Sequence, residues 1–125
     1  MKNKTDAALD GLLLCLNNLG GKWKPIILYK ISKGTNRFNK LFAEIEGINR
    51  QMLSKQLKEL EKSGILERKL FAEIPPRVEY SLTVFGKSLV PVIQHMSKWG
   101  IKNQQFVNKP SPSKKSESAQ LPLFD

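Results

Sequence analysis

Strand patterning is confined to one stretch of the chain, residues 65–82. Residues 65–71 alternate loosely. Arg77–Leu82 alternates clearly, with Val78, Tyr80 and Leu82 set against Arg77, Glu79 and Ser81. Two runs this close predict pairing with each other, as a β-hairpin. Glu73 to Pro76 separates them, and Pro75-Pro76 makes the tip stiff and extended. Elsewhere the apolar residues recur at helical spacing. The expected class is therefore mostly α with a small β-hairpin (α+β). A chain of 125 residues, 40% of them hydrophobic, has the length of one domain and enough apolar surface for a core without disulfides or a metal.

Residues 6–18 predict a first helix, with Leu9, Leu12, Leu13, Leu16 and Leu19 three and four apart. Leu14 and Cys15 widen that stripe beyond one core face, which suits a central helix or one shared with a partner chain. Gly20-Gly21 ends it. A second helix is expected over 24–32, with Pro25 in its first turn and Ile26, Ile27, Tyr29 and Ile31 as its apolar members. Trp23 is expected to pack in the core beside it. A third helix spans 38–45, with Phe38, Leu41, Phe42 and Ile45 on one face. The fourth, 49–63, begins at a good N-cap, Asn49, and stops at Gly64. Met52, Leu53, Leu57 and Leu60 form its inner face. The outer face carries Arg50, Gln51, Ser54, Lys55, Lys58 and Lys62, with no acidic residue before Glu59. A last helix is expected from the Thr83 cap to about 108, kinked at Pro91. It is too long and apolar to serve only as a lid. From Lys109 the helical period is lost, so the folded domain is placed at 1–108 and a disordered tail at 109–125.

Charge directs the functional reading. Lys and Arg total 21 against 11 Asp and Glu, a formal charge of +10 and a pI near 9.9. Residues 22–77 alone hold thirteen basic and six acidic side chains, so the excess lies in the folded part. Such a domain is suited to a polyanion, and the fourth helix suits double-stranded DNA. An α-helix fills the major groove, where Arg reads guanine and Gln reads adenine by paired hydrogen bonds. Arg50 and Gln51 at its start, with Ser54 and Lys55, are the expected base readers; Lys55 and Lys58 also suit phosphates. Arg37 and Lys40, opening the third helix, are expected on the backbone. Arg77, beside the rigid tip, is expected on phosphate or in the adjacent minor groove. An enzyme is disfavoured. One histidine (His95) and one cysteine do not make a zinc site, no phosphate-binding glycine loop is present, and Glu44 and Glu46 are spaced to point apart on a helix. No cofactor, catalytic residue or metal ligand is assigned. No apolar run approaches the ~20 residues of a membrane span and no signal peptide is visible, so a cytoplasmic protein without a membrane partner is expected.

Several strings together resemble the HxlR-type transcriptional regulators, a branch close to the MarR-like winged helix-turn-helix proteins. They are Gly20-Gly21-Lys22-Trp23, Arg37-Phe38-Asn39-Lys40-Leu41, Leu57-Lys58-Glu59-Leu60-Glu61, Pro75 through Thr83, and Trp99-Gly100. The resemblance covers residues 8–102. It implies a homodimeric bacterial DNA-binding protein, most often a repressor, with the first and last helices at the dimer interface. Leu9, Leu12, Leu13, Leu16, Val92, Met96 and Trp99 are the residues expected there. The recognition helix would be 49–63 and the wing 65–82. Two recognition helices one turn apart, roughly 34 Å, read a near-palindromic site. Redox-sensing members carry a cysteine at the place taken here by Asp10. Cys15 lies further along, in an apolar setting that favours a buried, inert thiol, which leaves it a secondary candidate for a redox sensor. A small-molecule or redox effector is allowed for but not identified. The competing reading is a protein-interaction module: Gln120-Leu121-Pro122-Leu123-Phe124 resembles the short peptide with which bacterial proteins dock on the replication sliding clamp.

Overall fold

The computed structural model describes residues 6–107. The 109–125 tail and its Gln120–Phe124 string lie outside the described residues. In chain order the elements are α1 (Ala7–Leu19), α2 (Trp23–Ser32), α3 (Phe38–Glu44), α4 (Arg50–Lys62), β1 (Leu66–Phe71), β2 (Arg77–Leu82), α5 (Val84–Lys87) and α6 (Val90–Lys102). They divide into two compact units, one ending at Pro91 and one beginning at Val92.

Side-chain caps account for where α1 and α4 start. The Asp6 carboxylate accepts from the Leu9 amide at 3.0 Å, and the Asn49 side chain accepts from the Met52 amide at 2.7 Å. Each satisfies one of the amides that a helix N-terminus leaves without a partner. At the far end of α4, Gly64 takes φ +78°, and the Ile65 amide returns to the Leu60 carbonyl at 3.0 Å. Only glycine adopts that φ cheaply, so the helix ends there and the chain turns into β1.

The core of the first unit gathers Ile27, Leu28 and Ile31 of α2, Leu41 of α3, and Ile45 and Ile48 of the turn that follows. Leu53, Leu57 and Leu60 of α4 join them, with Ile65 and Leu66 entering the hairpin. The three α4 leucines are spaced by four and three and so present one stripe. Among the described residues no polar or charged side chain is fully buried. The hairpin is antiparallel, in register from Leu66 opposite Leu82 to Phe71 opposite Arg77. The Tyr80 amide of β2 donates to the Asn36 carbonyl at 2.9 Å, which ties the wing to the α2–α3 turn.

Three expectations need correcting. The last helix is not continuous from Thr83 to 108: α5 and α6 are separate, and α6 ends at Lys102. Pro91 is the cause. It has no amide to donate to Lys87, and its ring would strike that carbonyl, so the chain breaks at Ser88-Leu89 and restarts with Pro91 in the first turn of α6. The alternation in β2 does not separate a buried face from a solvated one, because Arg77 and Glu79 are half-buried like Val78 and Tyr80. Their charges are paired, which lowers the cost of covering them. Trp23 is only half-buried: it opens α2 with the Lys22 ammonium 4.7 Å from its ring centroid.

Candidate nucleic-acid interface

The outer face of α4 is open. Gln51, Lys55, Lys58 and Lys62 are exposed and Ser54 is half-buried; the five line one shallow groove along the helix with Glu59. Among the described residues none of these three lysines forms an ion pair, so their ammonium groups are available to an outside anion. Glu59, the acid on this face, is turned to other use. It accepts from the Lys24 ammonium of α2 at 2.6 Å, and Lys24 is largely covered. That hydrogen bond, with the attraction of the same ammonium, holds the Glu59 carboxyl below its ordinary range. The pair links α4 to α2 and takes the negative charge out of competition with a polyanion.

Arg50 is not a free reader in this conformation. Its guanidinium lies 4.3 Å from the Phe42 ring centroid and 5.8 Å from that of Phe38, and its Nη1 donates to Asn39 Oδ1 at 3.1 Å. It stacks the start of α4 on α3 and retains most of its five N–H donors.

Arg77 is engaged more fully. It donates to both Glu73 oxygens, at 3.3 and 2.8 Å, and to Glu79, and its guanidinium sits 3.9 Å from the Phe71 ring centroid. Glu73 is held below its ordinary range chiefly by the Arg77 hydrogen bond, and Arg77 is raised by the same contact. A side chain with two carboxylates and an aromatic face against it braces the wing tip, rather than projecting from it as alternation alone predicts. Arg37 touches Glu79 only at 4.0 Å and keeps half its side chain in solvent; Lys40 is exposed. Arg37, Lys40 and Arg77 line a common recess of about 850 Å³ between the α2–α3 turn and the wing. Exposed cations that sequence reasoning missed are Arg68 and Lys69 on β1 and Lys33 at the recess. Their only signal was charge within a strand or at a helix end, where solvated lysine and arginine are commonplace.

The residues expected at a dimer interface are all exposed in the single chain. On α1, Leu9, Leu12, Leu13 and Leu16 are each about half exposed, and Leu14 lies 64% open; on α6 the same holds for Met96 and Trp99, with Val92 at the boundary. Cys15 is half-buried, more open than its apolar neighbours implied. Among the described residues no group of His, Cys, Asp and Glu is placed to hold a metal, and no helix is long and apolar enough to cross a membrane.

The model of the HxlR-like helix-turn-helix family matches residues 18–108. The chain belongs to that family. It is a DNA-binding helix-turn-helix transcriptional regulator of the MarR-like winged type. Among curated relatives, the uncharacterized HTH-type transcriptional regulator YdeP of Bacillus subtilis (strain 168) is 44% identical over 102 residues, covering 82% of this chain and 80% of its own. An uncharacterized HTH-type transcriptional regulator of Methanothermobacter thermautotrophicus is 40% identical over 95 residues, covering 76% and 72%. Among solved structures, the redox regulator HypR in its oxidized form superposes with a TM-score of 0.72 at 39% identity, covering 81% of this chain and 99% of that one.

Proposed function

We propose that the chain acts in the cytoplasm as a homodimeric repressor that reads a near-palindromic DNA site with two copies of α4. The observation that carries this reading is the outer face of α4, where exposed Gln51, Lys55 and Lys58 stand clear while Glu59 is turned onto Lys24. Gln51 and Ser54 supply base choice. Lys55 and Lys58 divide between base edges and phosphates, and Arg37 and Lys40 hold the backbone beside the helix. Arg50 orients α4 on α3 and turns its remaining donors to the groove at the helix start. Arg77 keeps the wing tip in shape. Repression follows from occupancy, since a bound dimer covers DNA that a polymerase would otherwise use.

Dimerisation is supported by the unpartnered leucines of α1 and by Met96 and Trp99 of α6. Exposed apolar surface of this kind is characteristic of an association face. A redox input would pass through Cys15, the only thiol of the chain, whose thiolate attacks a small disulfide to form a mixed disulfide and release the other half as a thiol.

The test is a comparison of Gln51→Ala with Lys58→Ala on a selected genomic site and on random DNA. Gln51→Ala should lose about 1–3 kcal/mol, roughly five- to 150-fold, on the selected site and little on random DNA. Lys58→Ala should weaken both alike. Equal losses on both DNAs for Gln51→Ala would remove α4 as the reader of sequence.

A further inference from the structure

The recess between the α2–α3 turn and the wing has the make-up of a ligand site. Its volume of about 850 Å³ falls in the range of small-molecule pockets, roughly 300–1,000 Å³, and far exceeds what one phosphate group fills. Four cations line it, Lys33, Arg37, Lys40 and Arg77, with Phe38 and Val78 as apolar wall. The four are not equivalent. Arg77 is neutralised by Glu73 and Glu79. Arg37 is held by Glu79 only at 4.0 Å and is half exposed, and Lys40 has no carboxylate partner among the described residues. Asn39 also lines the recess; its carbonyl oxygen accepts from Arg50, which leaves its amide N–H₂ as the free end. Arg37 is the extended N-cap of α3 and Lys40 lies in its first turn, and both side chains line the recess. The site thus offers a guanidinium, an ammonium and an amide donor beside an apolar surface.

We propose that this recess binds a free small-molecule oxyanion, a phosphate or carboxylate on a body larger than the ion itself, through Arg37 and Lys40. The proposal rests on the DNA-binding reading in one respect: Arg37 and Lys40 are also the groups assigned to the DNA backbone. An anion seated on this pair neutralises it and repels a backbone phosphate brought to the same cations, so the ligand and DNA compete, and the ligand releases the regulator from its site. By linkage the coupling is reciprocal, and DNA lowers affinity for the ligand by the same factor.

The test uses the full ¹⁵N-labelled chain and sodium pyrophosphate, with ionic strength held constant by chloride. Saturable amide shifts are expected at Asn36 to Lys40 and at Arg77 and Val78. Arg37→Ala should weaken them at least fivefold while the remaining spectrum shows the fold intact. In a second arm, pyrophosphate should displace a bound DNA fragment at concentrations where chloride of equal ionic strength does not, and the difference should shrink in Arg37→Ala. Shifts that never saturate, that spread over the lysines of the whole chain, or that survive Arg37→Ala would overturn the proposal. Saturable binding without displacement of DNA would also overturn it. If the recess seats only a backbone phosphate, DNA will move these amides and pyrophosphate will not, which again refutes a free ligand. Failure of the wild-type chain to bind any DNA would count against the DNA-binding reading, and the amide shifts would still decide whether the anion site exists.

Discussion

Among the glycines, Gly86 leaves the least room for a side chain. It is buried in α5, and a Cβ built on it would lie 2.1 Å from the Ile65 carbonyl oxygen and 3.2 Å from the Ile65 Cγ2. The oxygen belongs to backbone that cannot rotate away: it also accepts from the Thr83 amide at 3.1 Å. Gly86→Ala must therefore push α5 from the Ile65 backbone by about an ångström. Overpacking of this kind costs about 1–3 kcal/mol. The same shift disturbs the α5 cap, in which the Gly86 amide donates to Thr83 Oγ1 at 2.9 Å while that hydroxyl donates to the Gly64 carbonyl at 2.6 Å; removing a cap costs about 1 kcal/mol. Helix propensity acts the other way, favouring Ala over Gly by at most about 1 kcal/mol. The net expectation is a destabilisation of roughly 2 kcal/mol and, for a domain of this size, a fall in Tm of about 10 °C. Urea unfolding followed by circular dichroism at one protomer concentration would read it as a lower midpoint at unchanged slope. Propensity alone predicts the opposite sign, so a variant as stable as wild type, or more so, would refute the steric argument.

Other expectations are simpler. Leu57 is fully buried on the inner stripe of α4, and Leu57→Ala should cost about 2–5 kcal/mol in the same unfolding experiment. Asn49→Ala removes the cap at Met52 and should cost about 1 kcal/mol, measured as stability and as a weaker helical signal. Glu59 is held below its ordinary value of 4.5 by Lys24. A lowered carboxyl stabilises the fold above its unfolded pKa and loses that contribution as pH falls through the folded value. Urea midpoints should therefore drop more steeply below about pH 4.5 in wild type than in Glu59→Gln, and parallel curves would discount the ion pair. Lys58→Ala should reduce the slope of log affinity against log salt by about 0.9 for each phosphate that the chain no longer neutralises, read by anisotropy across a salt series.

What is legible in the sequence follows from how local each signal is. The limits of α4 can be read because both are set within a few residues: the Asn49 side chain caps from outside the first turn, and Gly64 supplies the positive φ that ends the last. The hairpin is legible for a similar reason, as two runs of strand residues about a proline pair. The break before α6 is masked because the apolar period continues through it, and the collision of Pro91 with the carbonyl four residues back outweighs that pattern. The partners of the charged side chains are the hidden part. Nothing local says that Arg50 lies on Phe42, eight residues earlier, or that Glu59 reaches Lys24 across two helices. Alternation places Arg77 outward as a free cation, yet Glu73 and Glu79 close over it. The surplus leucines of α1 are visible in the sequence, and their exposure in the single chain agrees with a helix that has more apolar surface than one core face uses.

Sequence-specific binding through α4 by two protomers is what would set this protein apart from a merely basic domain. Its most direct test is fluorescence anisotropy of the full chain on selected genomic fragments, with excess random-sequence competitor, over several salt concentrations. Binding should survive the competitor, saturate at two protomers per site and weaken linearly in log–log salt. Binding that competitor removes in proportion to its mass, with no fragment preferred at any salt, would contradict it.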